Sequence, residues 1–445
     1  MDNRIDFTSI DELTKMAMVP SIAFMVTMAV DLVYMVFAKI PLPDTRTVFN
    51  IMLKNFTFPV CIVFAAGTFL YLYTQRKNMN IAYARIRVTV LILFGCVTAF
   101  VTISTLINVE NSYRYSGIYP SEVGFSSYVM FFAAFFLCSS LVNDERVKNA
   151  YYLAFLFLSI PIGIFAIYVS VRYGGLTGAG FYKIPEGIFY NPNHYGYYLA
   201  MTIVLSASML VFETSRILKS VYVVILEFNT AMLIVNNTLG AWLAVLVGLA
   251  ALVVGIRIQN GSFELSAIIA LMLFVATTFA LSPWQPGILN SILRLFYDVG
   301  AIAVNSEDAN AAGAHRWHLW KATVGYISER PLFGWGPEGF ADELERACGN
   351  PRAHNEFLSY AGFFGIPAGC CYTLGCGLVI INGIRNLRLL SNSDVAALVV
   401  AGTYLVSSCF GNIVPQTAPY FFIFLGFAFG GWVYSGDAPH RVHGK

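Results

Sequence analysis

Three short segments of the 445-residue chain concentrate side chains able to do chemistry. The first is Phe189-Tyr190-Asn191-Pro192-Asn193-His194-Tyr195-Gly196. The second joins His315-Arg316-Trp317-His318-Leu319-Trp320 to Arg330-Pro331-Leu332-Phe333-Gly334-Trp335-Gly336-Pro337-Glu338-Gly339-Phe340. The third is Arg352-Ala353-His354-Asn355-Glu356-Phe357, followed by Gly362, Gly365, Ile366, Pro367 and Gly369. Histidine titrates near neutrality and can move protons there. Arginine is a fixed cation whose planar fork pairs with phosphate or carboxylate oxygens. Each residue also has a plainer reading. His354 by itself suits a helix cap or a headgroup contact, and Arg316 an interfacial charge paired with Glu307 or Asp308. Asn191-Pro192 marks a helix start, though Asn193 and His194 could touch sugar or phosphate. His315 and His318 share a helix face, yet no third ligand is evident, so no metal is expected. The glycine-rich run 334–339 has no phosphate-loop lysine and reads as a loop-positioning segment.

The elements that must position these residues follow from composition. The chain is 57% hydrophobic and 12% charged, against about 25% charged for a soluble domain, and its mean hydropathy is +0.66. That excludes a soluble enzyme. The apolar residues run in blocks and do not alternate, which argues against a membrane β-barrel. Windows long enough to cross a bilayer, about 20 residues, recur near 19–40, 56–73, 88–107, 123–142, 150–171, 195–212, 218–236, 240–256, 265–282, 357–383, 394–412 and 419–435. The expected fold is therefore all-α, a polytopic transmembrane helical bundle of about 12 spans. Lys and Arg crowd cytoplasmic connections; a cytoplasmic N-terminus gathers Arg76, Lys77, Arg85, Arg87, Arg146, Lys148, Arg216 and Lys219 on that side. Both termini are then cytoplasmic, and no basic tract suits nucleic acid. The first apolar block reads as a retained helix, with no signal-peptide cleavage site. Most of the eight Cys lie in apolar segments, without disulfide or metal spacing. Residues 1–282 would form the first nine spans, 283–356 one large, partly helical extracytoplasmic loop, and 357–445 the last three spans. Within the loop, Trp317, Trp320, Val324 and Ile327 form a helical stripe. Six basic residues face nine acidic ones there, so an anion must be held by particular arginines. Asp31 and Glu227 fall inside spans, where carboxylates are costly; they would line a cavity, carry protons or meet a hydrogen-bond partner.

The order Arg316…Pro331-Leu332-Phe333-Gly334-Trp335-Gly336-Pro337…Phe340, then His354-Asn355-Glu356-Phe357…Gly365-Ile366-Pro367, resembles the O-antigen ligase and O-antigen polymerase superfamily. Asn191-Pro192-Asn193 and the span after it look similar too. The resemblance implies an inverting glycosyltransferase of the cytoplasmic (inner) membrane with an outward-facing site. The donor would be a glycan on undecaprenyl pyrophosphate and the acceptor a sugar hydroxyl, with no metal, nucleotide or other cofactor. His354 matches the family's catalytic histidine, and a helix dipole at its position would favour the neutral, basic imidazole. Arg316 matches the loop arginine that would hold the departing pyrophosphate. Arg352, Arg172 and Lys183 are further candidates for the phosphates, and Asn193, His194, Asn355 and Trp320 for substrate positioning. Members often carry a Ser-Arg-Gly step where this chain has Thr238-Leu239-Gly240; Leu239 removes one cationic ligand, which Arg172 or Lys183 would replace. The pattern does not separate ligase from polymerase. Twelve spans also suit a polysaccharide transporter or lipid-glycan flippase, although the two halves show no similarity; a noncatalytic assembly subunit is a third reading.

Overall fold

Backbone amides and carbonyls inside a bilayer must be satisfied within the chain, and helices do this segment by segment. The computed structural model describes residues 81–118, 123–141, 144–174, 191–283 and 315–435, with shorter stretches between 18 and 63, 176 and 189, and 290 and 313. The apolar blocks become the helices Ile81–Ile107, Phe125–Leu141, Glu145–Gly174, Pro192–Phe212, Arg216–Asn236, Leu239–Asn260, Leu265–Leu281, Ile366–Arg385, Asn392–Ser408 and Ala418–Ser435. Among the described residues, six helices are long and apolar enough to cross a membrane, and Ser21–Tyr34, Phe125–Ser139, Leu265–Leu281 and Ala418–Gly430 are shorter apolar helices. The protein is a helical, multi-pass membrane protein. Among the described residues the only strands are the two-residue pair Leu176–Thr177 and Gly180–Phe181. Most of the expected 56–73 span lies outside the described residues.

Two helices form the interior. Nearly every residue of Pro192–Phe212 is buried, and so is Ala418–Ser435 from Tyr420 to Phe429. Ala418–Ser435 packs on Phe125–Leu141 and Asn392–Ser408, while Pro192–Phe212 packs on Arg216–Asn236, Leu239–Asn260 and Asn392–Ser408. Small residues permit close approach in membranes: a Cβ on Gly248 would lie 2.2 Å from Oγ1 of Thr403. Several hydroxyls in the spans are satisfied within their own helix. Thr105 Oγ1 donates to Val101 O (2.7 Å) and Thr403 Oγ1 to Val399 O (2.8 Å). Glu227 Oε2 accepts a hydrogen bond from Thr277 Oγ1, while Oε1 is buried without a hydrogen-bond partner among the described residues. Asp31 is buried. At the end opposite the site described below, Lys148 Nζ pairs with Asp394 Oδ1 at 2.5 Å, and Tyr152 donates to Ser393 O at 2.9 Å.

The expected span 357–383 is not one helix. It breaks into Glu356–Phe364 and Ile366–Arg385. Gly365 has φ +95°, and a Cβ there would meet Leu332 O at 2.1 Å. Pro367 then starts the second helix, where its missing N–H is no loss. Helix ends leave carbonyls without intrahelical partners, and the glycine-rich loop supplies them. Trp335 N donates to Gly362 O (3.1 Å), Gly336 N to Phe363 O (2.8 Å), and Ser104 Oγ also to Phe363 O (2.8 Å). Ile366 N completes the seam by donating to Pro331 O at 2.7 Å.

Described residues of the 283–356 connection include the helices Arg316–Glu329 and Ala341–Cys348. The buried face of Arg316–Glu329 is Leu319, Thr323 and Ile327. The stripe expected from Trp317, Trp320, Val324 and Ile327 is therefore offset: Val324 is 53% exposed. Tryptophan dominated the sequence pattern, whereas spacing by four from Leu319 decides the packing.

Candidate active site

His354 sits just before the helix Glu356–Phe364, and its backbone is left-handed at φ +50°. Such a conformation is costly for a side-chain-bearing residue and persists only where neighbours fix it. Asn412 fixes it. The His354 N–H donates to Asn412 Oδ1 at 2.9 Å, and Asn412 Nδ2 lies 3.3 Å from the imidazole Nδ1. On the other edge Asn350 Nδ2 lies 3.1 Å from Nε2, while Asn350 Oδ1 accepts from Arg352 N at 3.0 Å. Asn355 is the helix cap: its Oδ1 accepts from Leu358 N (3.0 Å) and its Nδ2 donates to Cys409 O (3.1 Å). Both ends of the Asn355 amide are thus engaged in holding the backbone. Behind it, the fully buried Glu356 accepts from Tyr404 (2.6 Å) and Tyr372 (3.3 Å).

Three positive or titratable groups meet here. Burial of the imidazole pushes the His354 pKa from its ordinary 6.5 down to about 3, with the Arg316 and Arg352 charges adding to the shift. The shift favours the neutral imidazole, the form a general base requires. Arg352 forms a buried ion pair with Glu338. Burial raises the Glu338 carboxyl above its usual range, and the Arg352 guanidinium opposes that shift. Glu338 also accepts from the Ile118 N–H, so the pair ties the loop carrying His354 to two other connections.

Arg316 opens the helix Arg316–Glu329 behind His315, another left-handed residue at φ +68°. Its NH1 turns back to Gly313 O at 3.1 Å. Its Nε is buried without a hydrogen-bond partner among the described residues, and so is Nε1 of Trp320 one turn on. Trp320 approaches Phe410, with ring centroids 6.5 Å apart. The Arg316 charge also reaches Tyr197, whose hydroxyl donates to Phe410 O at 3.0 Å.

The segment 191–194 approaches the same end of the bundle. Asn191 caps the helix Pro192–Phe212, accepting from Asn193 N at 2.8 Å, and His194 is buried. Pro192 O accepts from Asn236 Nδ2 (3.0 Å) and Thr238 Oγ1 (3.1 Å). Leu239 follows directly, at the start of Leu239–Asn260. A Cβ on its neighbour Gly240 would lie 3.2 Å from Phe410, the ring that Trp320 approaches. Arg172 is exposed near the end of Glu145–Gly174, and no hydrogen bond or ion pair among the described residues ties it to His354. Lys183 lies outside the described residues. His315 is exposed and His318 half-buried.

A sequence model of the O-antigen ligase family matches residues 221–373, from within Arg216–Asn236 to within Ile366–Arg385. The match spans about a third of the chain. No curated protein matches the chain. The matched segment contains Arg316, Trp320, Arg352, His354 and Asn355. Asn193, His194 and Tyr197 precede it, and Asn412 follows it. Asn412 is the residue that sequence reasoning missed. Its signal was the polar run Asn412…Pro415-Gln416-Thr417 between two apolar blocks, a buried non-helical stretch in the fold.

Proposed function

We propose that the protein is an inverting glycosyltransferase of surface polysaccharide assembly. It moves a glycan from undecaprenyl pyrophosphate to a sugar hydroxyl, as ligase or polymerase, on the outer face of the cytoplasmic membrane. Membership of the matched segment in the O-antigen ligase family supports the class. The single observation that carries the chemistry is the neutral imidazole of His354 held within the electrostatic reach of Arg316 and Arg352.

On this reading the acceptor hydroxyl attacks the anomeric carbon as His354 takes its proton, and the bond to the pyrophosphate oxygen breaks on the opposite face. The lipid pyrophosphate leaves with the electron pair, so neither metal nor nucleotide is required. Arg316 neutralises the growing charge, and the partnerless Arg316 Nε and Trp320 Nε1 are donors that a phosphate would satisfy. A free imidazole with its pKa near 3 is a weak base. Donor binding offsets the smaller part of this: burial, the largest cause, stays, while the pyrophosphate counters the Arg316 and Arg352 charges, so basicity rises once the donor is in place.

The test is reconstitution of the full chain with a defined undecaprenyl-pyrophosphate oligosaccharide and candidate acceptors. Native protein transfers the glycan and His354→Ala does not, at equal abundance. One added block identifies a ligase and a ladder a polymerase. Movement of unaltered lipid-linked glycan across the liposome membrane would instead establish the transporter.

A further inference from the structure

A second concavity lies apart from Arg316 and Trp320. It encloses about 480 Å³ between the residues that follow the helix Ile81–Ile107 and the segment 330–343, within the range of about 300–1,000 Å³ typical of ligand sites. Its walls are already set. Asn108 donates to Ser104 O (2.8 Å) and accepts from Arg330 NH1 (2.7 Å). Asn111 donates to Pro337 O (2.8 Å) and accepts from Tyr113 N (2.9 Å). Trp335 Nε1 donates to Tyr326 O at 2.8 Å, and the Arg330 guanidinium sits 3.9 Å from the Trp335 ring centroid.

The charge of this cavity is opposite to that of the His354 site. Glu110, Glu338, Asp342 and Glu343 line it, against the single lining cation Arg330, which Trp335 and Asn108 already engage. Glu338 is paired with Arg352 and Glu343 with Arg346 behind the wall, which leaves Glu110 and Asp342 to set the sign. Carboxylates here repel phosphate and uronate groups but accept hydrogen bonds from hydroxyl and ammonium groups. Asparagine, tryptophan and tyrosine beside them supply the mixed polar and aromatic lining that a sugar ring uses. Glu338 joins the two sites: it lines the cavity and holds Arg352, whose charge acts on His354.

We infer that this cavity is a glycan subsite for saccharide units without carboxylate groups, neutral or amino sugars, set back from the reacting bond. The inference rests on the glycosyl-transfer reading, but its test reads binding and needs no turnover. The full-length protein in lipid nanodiscs is titrated with disaccharides of N-acetylglucosamine, glucosamine and galacturonic acid, with saturation-transfer NMR as readout. Asp342→Asn combined with Glu343→Gln, or separately Glu110→Gln, serves as the variant. Asp342 and Glu110 are exposed, and the second variant alters the other wall should the first fail to fold. Native protein binds the first two sugars and not the uronate. The variants weaken glucosamine-disaccharide binding about tenfold, the effect of one lost charged hydrogen bond, while His354→Ala leaves binding unchanged. Binding that ignores both variants, equal binding of the uronate, or no saccharide binding overturns the inference. Binding without transfer by the native protein would instead count against the glycosyltransferase reading alone.

Discussion

Asn412 holds His354 at two points: Oδ1 receives the backbone N–H at 2.9 Å, and Nδ2 faces the ring Nδ1 at 3.3 Å. One side chain thereby sets both the left-handed backbone and the ring orientation. Because each Oδ1 accepts from a backbone N–H, Asn412 turns Nδ2 toward the ring Nδ1 and Asn350 turns Nδ2 toward Nε2, and a neutral imidazole accepts from one of them at a time. Asn412→Ala removes both contacts. Turnover at saturating donor falls about tenfold or more, while KM for the donor changes less. Steady-state rates of the reconstituted protein check this; an unchanged kcat in a folded variant removes Asn412 from the site.

Arg316 is expected to tolerate no substitution, including lysine. A lysine ammonium cannot reproduce the planar fork. Arg316→Lys and Arg316→Ala should both lose about 10²–10³-fold in kcat, with His354→Ala at least as severe. Single-turnover transfer from lipid-linked oligosaccharide gives the comparison. A lysine variant within a factor of a few of the native rate would show that Arg316 supplies charge alone.

The depressed pKa of His354 has two readable consequences. Its folded value, about 3, lies below the unfolded value near 6.5, so the unfolded chain binds more protons between these limits. The stability contribution is fully present above the unfolded value and is lost as pH falls from about 6.5 toward 3. His354→Gln should flatten that part of the thermal unfolding profile. In the kinetics, kcat/KM reports the free protein and kcat the donor complex. Because the donor offsets the arginine charges, the acid limb of kcat should lie at higher pH than that of kcat/KM. Coincident limbs would dismiss substrate-raised basicity.

The Arg352–Glu338 pair predicts a stability cycle. Their side chains are 14% and 2% exposed, so removing one partner strands a buried charge. Glu338→Gln or Arg352→Gln alone should cost about 3–5 kcal/mol, and the double variant less than the sum. Denaturation in detergent, followed by intrinsic fluorescence, measures the coupling. Additive losses would mean that the two residues act separately.

Sequence was informative where one physical force dominates. Apolar runs announced the helices because lipid leaves the backbone no alternative, and His354 and Arg316 stood in motifs dense enough to single out. Contacts made far along the chain were hidden. Arg352 is paired with Glu338 fourteen residues earlier, and Asn412 reaches His354 across fifty-eight; neither spacing leaves a periodic trace. The break at Gly365 escaped because hydropathy averages over it, although Gly365-Ile366-Pro367 carried the warning. The helix read from Trp317, Trp320, Val324 and Ile327 is present as Arg316–Glu329, although its buried face runs through Leu319, Thr323 and Ile327.

The seam between 331–336 and 362–366 also bears on how substrates arrive. Hydrogen bonds from Trp335, Gly336 and Ile366 stitch that part of the large connection to the broken helix, and Trp335 is bonded on to Tyr326. A segment fastened in this way is a fixed wall, and opening it would strip partners from the carbonyls of Gly362 and Phe363. On the proposed function, a lipid-linked donor would then enter laterally past a standing threshold, with the bilayer itself as the approach.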